Sequence, residues 1–131
     1  MSGEVAGIHF DKLFASIDAM DTESFVNFIA EDCIFRFGSS PAVSGRDGIR
    51  ASVNDFFSMF AALRHDLTRI VADDNAVVCE GEVTYTRHDG RKITLPFCNV
   101  FEVEGGLISL YRIYIDIGPL FADLMFCQFW I

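Results

Sequence analysis

The chain has 131 residues, the size of one ordinary domain, and at that length it can bury a core without disulfide staples. Its residues are 51% hydrophobic and its net charge is −9, which excludes a disordered chain and argues against partners that demand a basic face, nucleic acid and anionic membrane among them. Fourteen of the residues are Phe, so the interior is either a very aromatic core or an apolar cavity lined by rings.

The elements are read in chain order. Phe10, Leu13, Phe14 and Ile17 share one helical face, which predicts an amphipathic helix over roughly residues 4–20. Asp21 is an N-cap with Glu23 in the first turn, opening a short helix that buries Phe25, Phe28 and Ile29. CIFRF at 33–37 is a strand, and residues 38–45 are turn-rich around Pro41. A third helix begins at Arg46 and carries Ile49, Val53, Phe56, Phe57 and Phe60 at helical spacing, with Asp47 in its first turn.

The period then changes. HDLTRIV, AVVCEGEVTYTR, KITLPFCNVFEVE and LISLYRIYIDI are strand-like runs, joined by ADDN, HDGR and EGG turns. Helices and strands are segregated along a single domain of residues 1–131, which is the α+β class. The closing PLFADLMFCQFWI is too apolar to stand in solvent, so it should cap the domain, close a pocket or enter a second subunit.

Cys33, Cys79, Cys98 and Cys127 are irregularly spaced, with no CxxC and no His at metal-ligand spacing. They read as buried reduced thiols, as in a cytoplasmic protein. MSGEVAG is not a signal peptide, and no run approaches the ~20 apolar residues that span a bilayer. Gly105 and Gly106 are a hairpin turn with no helix after them, not a phosphate cradle. No nucleophile elbow occurs, and the expected chemistry needs no cofactor.

FASIDAMDTESFVNFIAEDCIF, then SGRDGIR, then hairpins ending in GGLISLYRIYID, resembles the nuclear transport factor 2-like superfamily, and within it the SnoaL-like and ketosteroid-isomerase-like members. The resemblance implies a strongly curved mixed or antiparallel sheet, wrapped by the N-terminal helices into a cone with an apolar pocket on its concave face. It also implies homodimers that pair through the sheet. It does not settle function, because relatives include isomerases, dehydratases, epoxide hydrolases, cyclases and binders.

Matched position by position, the resemblance puts Phe37 where ketosteroid isomerases carry their general base. It puts Leu13 and Asn99 at the oxyanion-hole positions. Phe35, Phe37 and Ile113 fall where epoxide hydrolases keep polar groups, so that chemistry is not expected. The cavity lining is expected to include Phe14, Phe35, Phe37, Phe57, Phe97, Tyr111 and Ile113.

Three polar residues remain as catalytic candidates. Asn99 can hydrogen-bond a ligand oxygen or be satisfied by backbone. His65 lies near a pocket His of several relatives and is the commonest acid–base type, or it is structural. Glu82 is turned inward by an ungapped count back from Asn99, whereas simple alternation leaves Glu80 and Glu82 in water. Asp32 is a turn residue, and Asp116 with Arg112 fixes a strand end or an interface. Three readings follow: a cofactor-free isomerase, dehydratase or cyclase; a protein that binds a small hydrophobic ligand without chemistry; or an interaction module.

Overall fold

The structure is a computed structural model that describes residues 4–122. The expectations placed on Cys127 and on the apolar end at 124–131 lie outside those residues. The chain opens with a two-residue hairpin, β1 (Glu4–Val5) and β2 (Ile8–His9). Ala6 and Gly7 turn it with positive φ values of 54° and 85°. The first helix, α1 (Phe10–Asp18), is therefore shorter than the apolar spacing predicts. It buries Phe10, Leu13, Phe14 and Ile17. Asp21 caps α2 (Thr22–Val26) by accepting from the Ser24 backbone N–H at 3.2 Å.

The early strand, β3 (Ile29–Phe37), starts four residues before CIFRF, and Ile29 opens it instead of ending the helix. A short β4 (Val43–Ser44) leads into α3 (Arg46–Ser58). Arg46 donates from Nε to the Ile29 carbonyl at 2.8 Å, which ties the start of α3 to the start of β3. The meander follows as β5 (Ala62–Asp73), β6 (Ala76–Thr86), β7 (Lys92–Glu104) and β8 (Leu107–Tyr114). Residues 118–122 are helical again. Asp116 turns the chain there by accepting from the Gly118 backbone N–H at 2.9 Å.

The sheet order is β4-β3-β8-β7-β6-β5, antiparallel except for the parallel β3–β8 pair. Two bulges bend it. Thr68 is an extra residue in β5 opposite Gly81, and its Oγ1 donates to the Glu80 carbonyl at 3.1 Å. Ser109 is an extra residue in β8, and its Oγ donates to the Glu102 carbonyl at 3.2 Å. At the first bulge the strands approach so closely that a Cβ on Gly81 would sit 2.1 Å from the Asp66 carbonyl oxygen. The helices cover the concave face, where Cys33, Phe35, Cys79, Val83, Phe97, Phe101 and Tyr111 are buried. This is the expected α+β cone.

The thiols of Cys33, Cys79 and Cys98 are unpaired. Among the described residues no helix is long and apolar enough to cross a membrane. Burial pushes the Cys33 and Cys79 thiols up to about 12, and it also raises the Tyr85 and Tyr111 phenols. Raised folded values mean that these groups hold their protons more tightly folded than unfolded. Their contribution to stability is full below the ordinary thiol value of 9.0 and is lost as pH climbs through about 12. Denaturant midpoints measured from pH 7 upward should therefore hold until about pH 9 and then fall steeply. A flat profile to pH 11 would contradict this burial.

Candidate functional site

Between α3 and the concave face lies a cavity of about 350 Å³. That is the small end of the ~300–1,000 Å³ range typical of ligand pockets. Its walls are mostly rings and aliphatic chains. Phe35, Phe37, Phe57, Phe97, Tyr111 and Ile113 all line it, as expected from the sequence. Phe14 does not. Its ring stands behind His65, with centroids 5.0 Å apart, and against Phe97 at 5.8 Å. It supports the wall without facing the cavity, because the His65 and Phe97 rings stand in front of it, while Ile17 is the α1 residue that reaches the cavity.

His65 does face the cavity, from β5. Its partner was not among the candidates read from the sequence. Asp18, the last residue of α1, holds it twice: the His65 Nδ1–H donates to Asp18 Oδ1 at 2.6 Å, and the His65 backbone N–H donates to Asp18 Oδ2 at 2.9 Å. A carboxylate only accepts, so the shared hydrogen belongs to Nδ1. The imidazole is also clamped between Phe14 and Phe97, whose centroid is 5.2 Å away. Nε2 makes no hydrogen bond among the described residues. The other two histidines are committed elsewhere, His9 to Glu4 at 2.8 Å and His88 to the Ser58 carbonyl at 2.9 Å. A signal for Asp18 was present in the sequence: it follows Phe14 by four residues, so it puts a carboxylate on the apolar stripe of the helix.

Asn99 also lines the cavity and is only 2% exposed. It is not satisfied by backbone: Oδ1 is buried with no hydrogen-bond partner among the described residues. Such a group is costly unless something fills its need. Asn99 lies two positions along β7 from Phe97, on the same face, and the Phe97 ring is the one that meets the His65 imidazole. The hydroxyl-bearing rings of Tyr85 and Tyr111 complete the inner surface. Burial keeps both phenols protonated, hence neutral donors.

Glu82 is a correction. β6 pairs without a bulge against β7 from Ala76 to Thr86, so its two-residue alternation is unbroken. Val83 pairs with His65, and both face inward; Glu82 pairs with Asp66 and is exposed on the outer face. Val83 and Tyr85 line the cavity where the ungapped count had put Glu82. Glu80 is outside too, bonded by Arg69 Nε at 3.1 Å. Leu13 is wholly buried in the core and is not part of the cavity wall. Asp32 is exposed in β3 and not in a turn. Among the described residues no cluster of side chains could hold a metal ion.

The SnoaL-like domain family matches residues 10–111 of this chain. No curated protein matches it. Among solved structures, a nuclear transport factor 2-like protein of unknown function from Burkholderia pseudomallei superposes with a TM-score of 0.79, at 17% identity over 86% of this chain and 92% of that one. An epoxide hydrolase of the LEH-like kind from M. tuberculosis gives 0.73, at 20% identity over 88% of this chain and 86% of its own. TerC, co-crystallised with polyporic acid, gives 0.76, at 17% identity over 88% and 94%. At these identities the likeness is one of fold. The family match spans most of the chain, and the chain belongs to the SnoaL-like domain family, with the nuclear transport factor 2-like fold.

Proposed function

We propose that this chain binds a small hydrophobic ring compound in its cone and moves a proton on it without a cofactor, as an isomerase, dehydratase or cyclase does. The observation that carries the reading is the Asp18–His65 pair in the wall of an apolar cavity. With hydrogen on Nδ1 and the carboxylate fixing the ring, the lone pair sits on Nε2. Nε2 takes a proton from a carbon beside a ligand carbonyl, and the C–H electron pair moves onto oxygen as an enolate. The imidazolium then returns the proton to another carbon, which isomerises the ligand, or to a departing β-hydroxyl, which leaves as water. Asn99 anchors a polar group of the ligand across the Phe97 ring. The co-crystal of TerC with polyporic acid supports a flat cyclic ligand for this fold. Epoxide hydrolysis is not supported, because Phe35, Phe37 and Ile113 offer no acid or base.

A positioned general base contributes roughly 10²- to 10⁴-fold. Exchange of the α-hydrogens of tetralone in heavy water, followed by NMR, should be accelerated by the wild-type protein. His65→Gln should lose that acceleration by about 10²-fold or more, while thermal-shift titration still reports bound tetralone. Asp18→Asn should lose part of it. A wild type that binds tetralone and exchanges nothing would leave the non-catalytic binder as the better reading.

The outer sheet face supports a second proposal, a homodimer through the sheet. Ile34, Val71 and Tyr114 are large, exposed and apolar, and all three lie on that face. Sedimentation should give twice the chain mass, and Tyr114→Arg should shift it towards the monomer; a monomeric wild type removes the proposal.

A further inference from the structure

We infer that the cavity selects uncharged ring compounds and turns away carboxylates and phosphates, with Asp55 as the residue that sets this selectivity. The inference rests on the ligand-binding reading above and adds the charge class of the ligand.

Consider what an anion would meet. Among the described residues no Arg or Lys lines the cavity. Residues 123–131 contribute none by sequence, since DLMFCQFWI holds no basic side chain. Arg36 lies on the strand that leads to the mouth. It points to the outer face, and its Nε donates to the Ser40 carbonyl at 3.0 Å. The uncharged polar groups of the lining are the Asn99 amide, the Tyr85 and Tyr111 phenols, the His65 imidazole and the Ser40 and Ser52 hydroxyls. These recognise oxygen and hydroxyl groups but supply no countercharge to a buried anion. An anion entering here gives up its hydration with nothing to replace it.

The charges that do face the site are negative. Asp18 stands behind His65. Asp55, on α3, lines the mouth and is exposed. Its carboxylate makes no hydrogen bond or ion pair among the described residues. Neighbouring acids differ: Glu23 and Asp47 each meet Arg50 at 2.8 Å, and Asp89 meets Arg87 at 2.7 Å. Asp55 contributes nothing visible to the fold, and it projects its uncompensated charge across an apolar entrance, where field lines are focused by low-dielectric walls. The overall charge of −9 adds to the same repulsion.

The test uses three probes of one shape: naphthylmethanol, naphthoate and naphthylmethylammonium. Their affinities are measured by calorimetry on wild type and on Asp55→Asn, whose exposed site leaves the fold intact. The inference expects naphthylmethanol to bind wild type at least about ten-fold more tightly than naphthoate. Asp55→Asn should narrow that ratio by roughly three-fold, the effect of one screened charge at the rim. Naphthoate binding as tightly as the alcohol overturns the selectivity. An unchanged ratio in Asp55→Asn overturns the role of Asp55. Tightest binding of the ammonium overturns the uncharged class in favour of a cation held by rings and carboxylate. If none of the three binds folded protein, the ligand-binding reading itself fails, and this inference fails with it.

Discussion

A curved sheet is the constraint on which everything else in this molecule rests. A flat six-stranded sheet could press its apolar face directly onto the helices and leave no room. Here β5 and β8 each carry one extra residue, Thr68 and Ser109, and their hydroxyls satisfy carbonyls of the neighbouring strands. Gly81 lets β5 close on β6 at the first bulge, where any side chain would collide with backbone. The sheet therefore bends, α3 spans the concavity as a chord spans an arc, and a space remains between them. That space is lined by whatever the two-residue alternation of each strand turns inward.

Alternation explains both what was legible in the sequence and what was not. The segregated helices and strands, the inward Phe35, Phe37, Phe97 and Ile113, and the Asn in an apolar strand all follow from short-range periodicity. Glu82 was ambiguous because two rules disagreed. Local alternation in VVCEGEVTYT turned it outward, while counting across a hairpin turned it inward. Local alternation holds, since β6 itself is unbulged and its pairing with β7 carries one parity from end to end, the extra residue of the β5–β6 pair lying in β5. Errors at element ends have the same local character. The Ala6–Gly7 turn needs positive φ at a non-Gly residue, which periodicity does not reveal. Ile29 sits at the junction of α2 and β3, where a buried apolar residue serves either element equally well.

The site was the harder part because its central contact is long-range. Asp18 and His65 are 47 residues apart and belong to a helix and a strand. No spacing rule joins them. The tertiary fold does, by laying the end of α1 against the start of β5. The clue was chemical: a carboxylate on an apolar helical face needs a partner. His65 in turn was a positional match with no visible reason to be catalytic, and Asp18 supplies that reason by fixing the ring and its tautomer. Phe14 was assigned to the lining, yet its place is behind the imidazole, where it helps to hold the ring still.

What results is an apolar chamber with few polar groups, each oriented by the elements around it. His65 is held on one nitrogen and free on the other, Asn99 has a buried oxygen without a partner, and two phenols are kept neutral by burial. The claim that these groups face one ligand is tested most directly by NMR of protein labelled with ¹⁵N at histidine and asparagine side chains, titrated with naphthylmethanol. The account predicts hydrogen on His65 Nδ1 before any ligand is added, and then joint, saturable shifts of His65 Nε2 and the Asn99 amide. Bound ligand that leaves both resonances unmoved would contradict it.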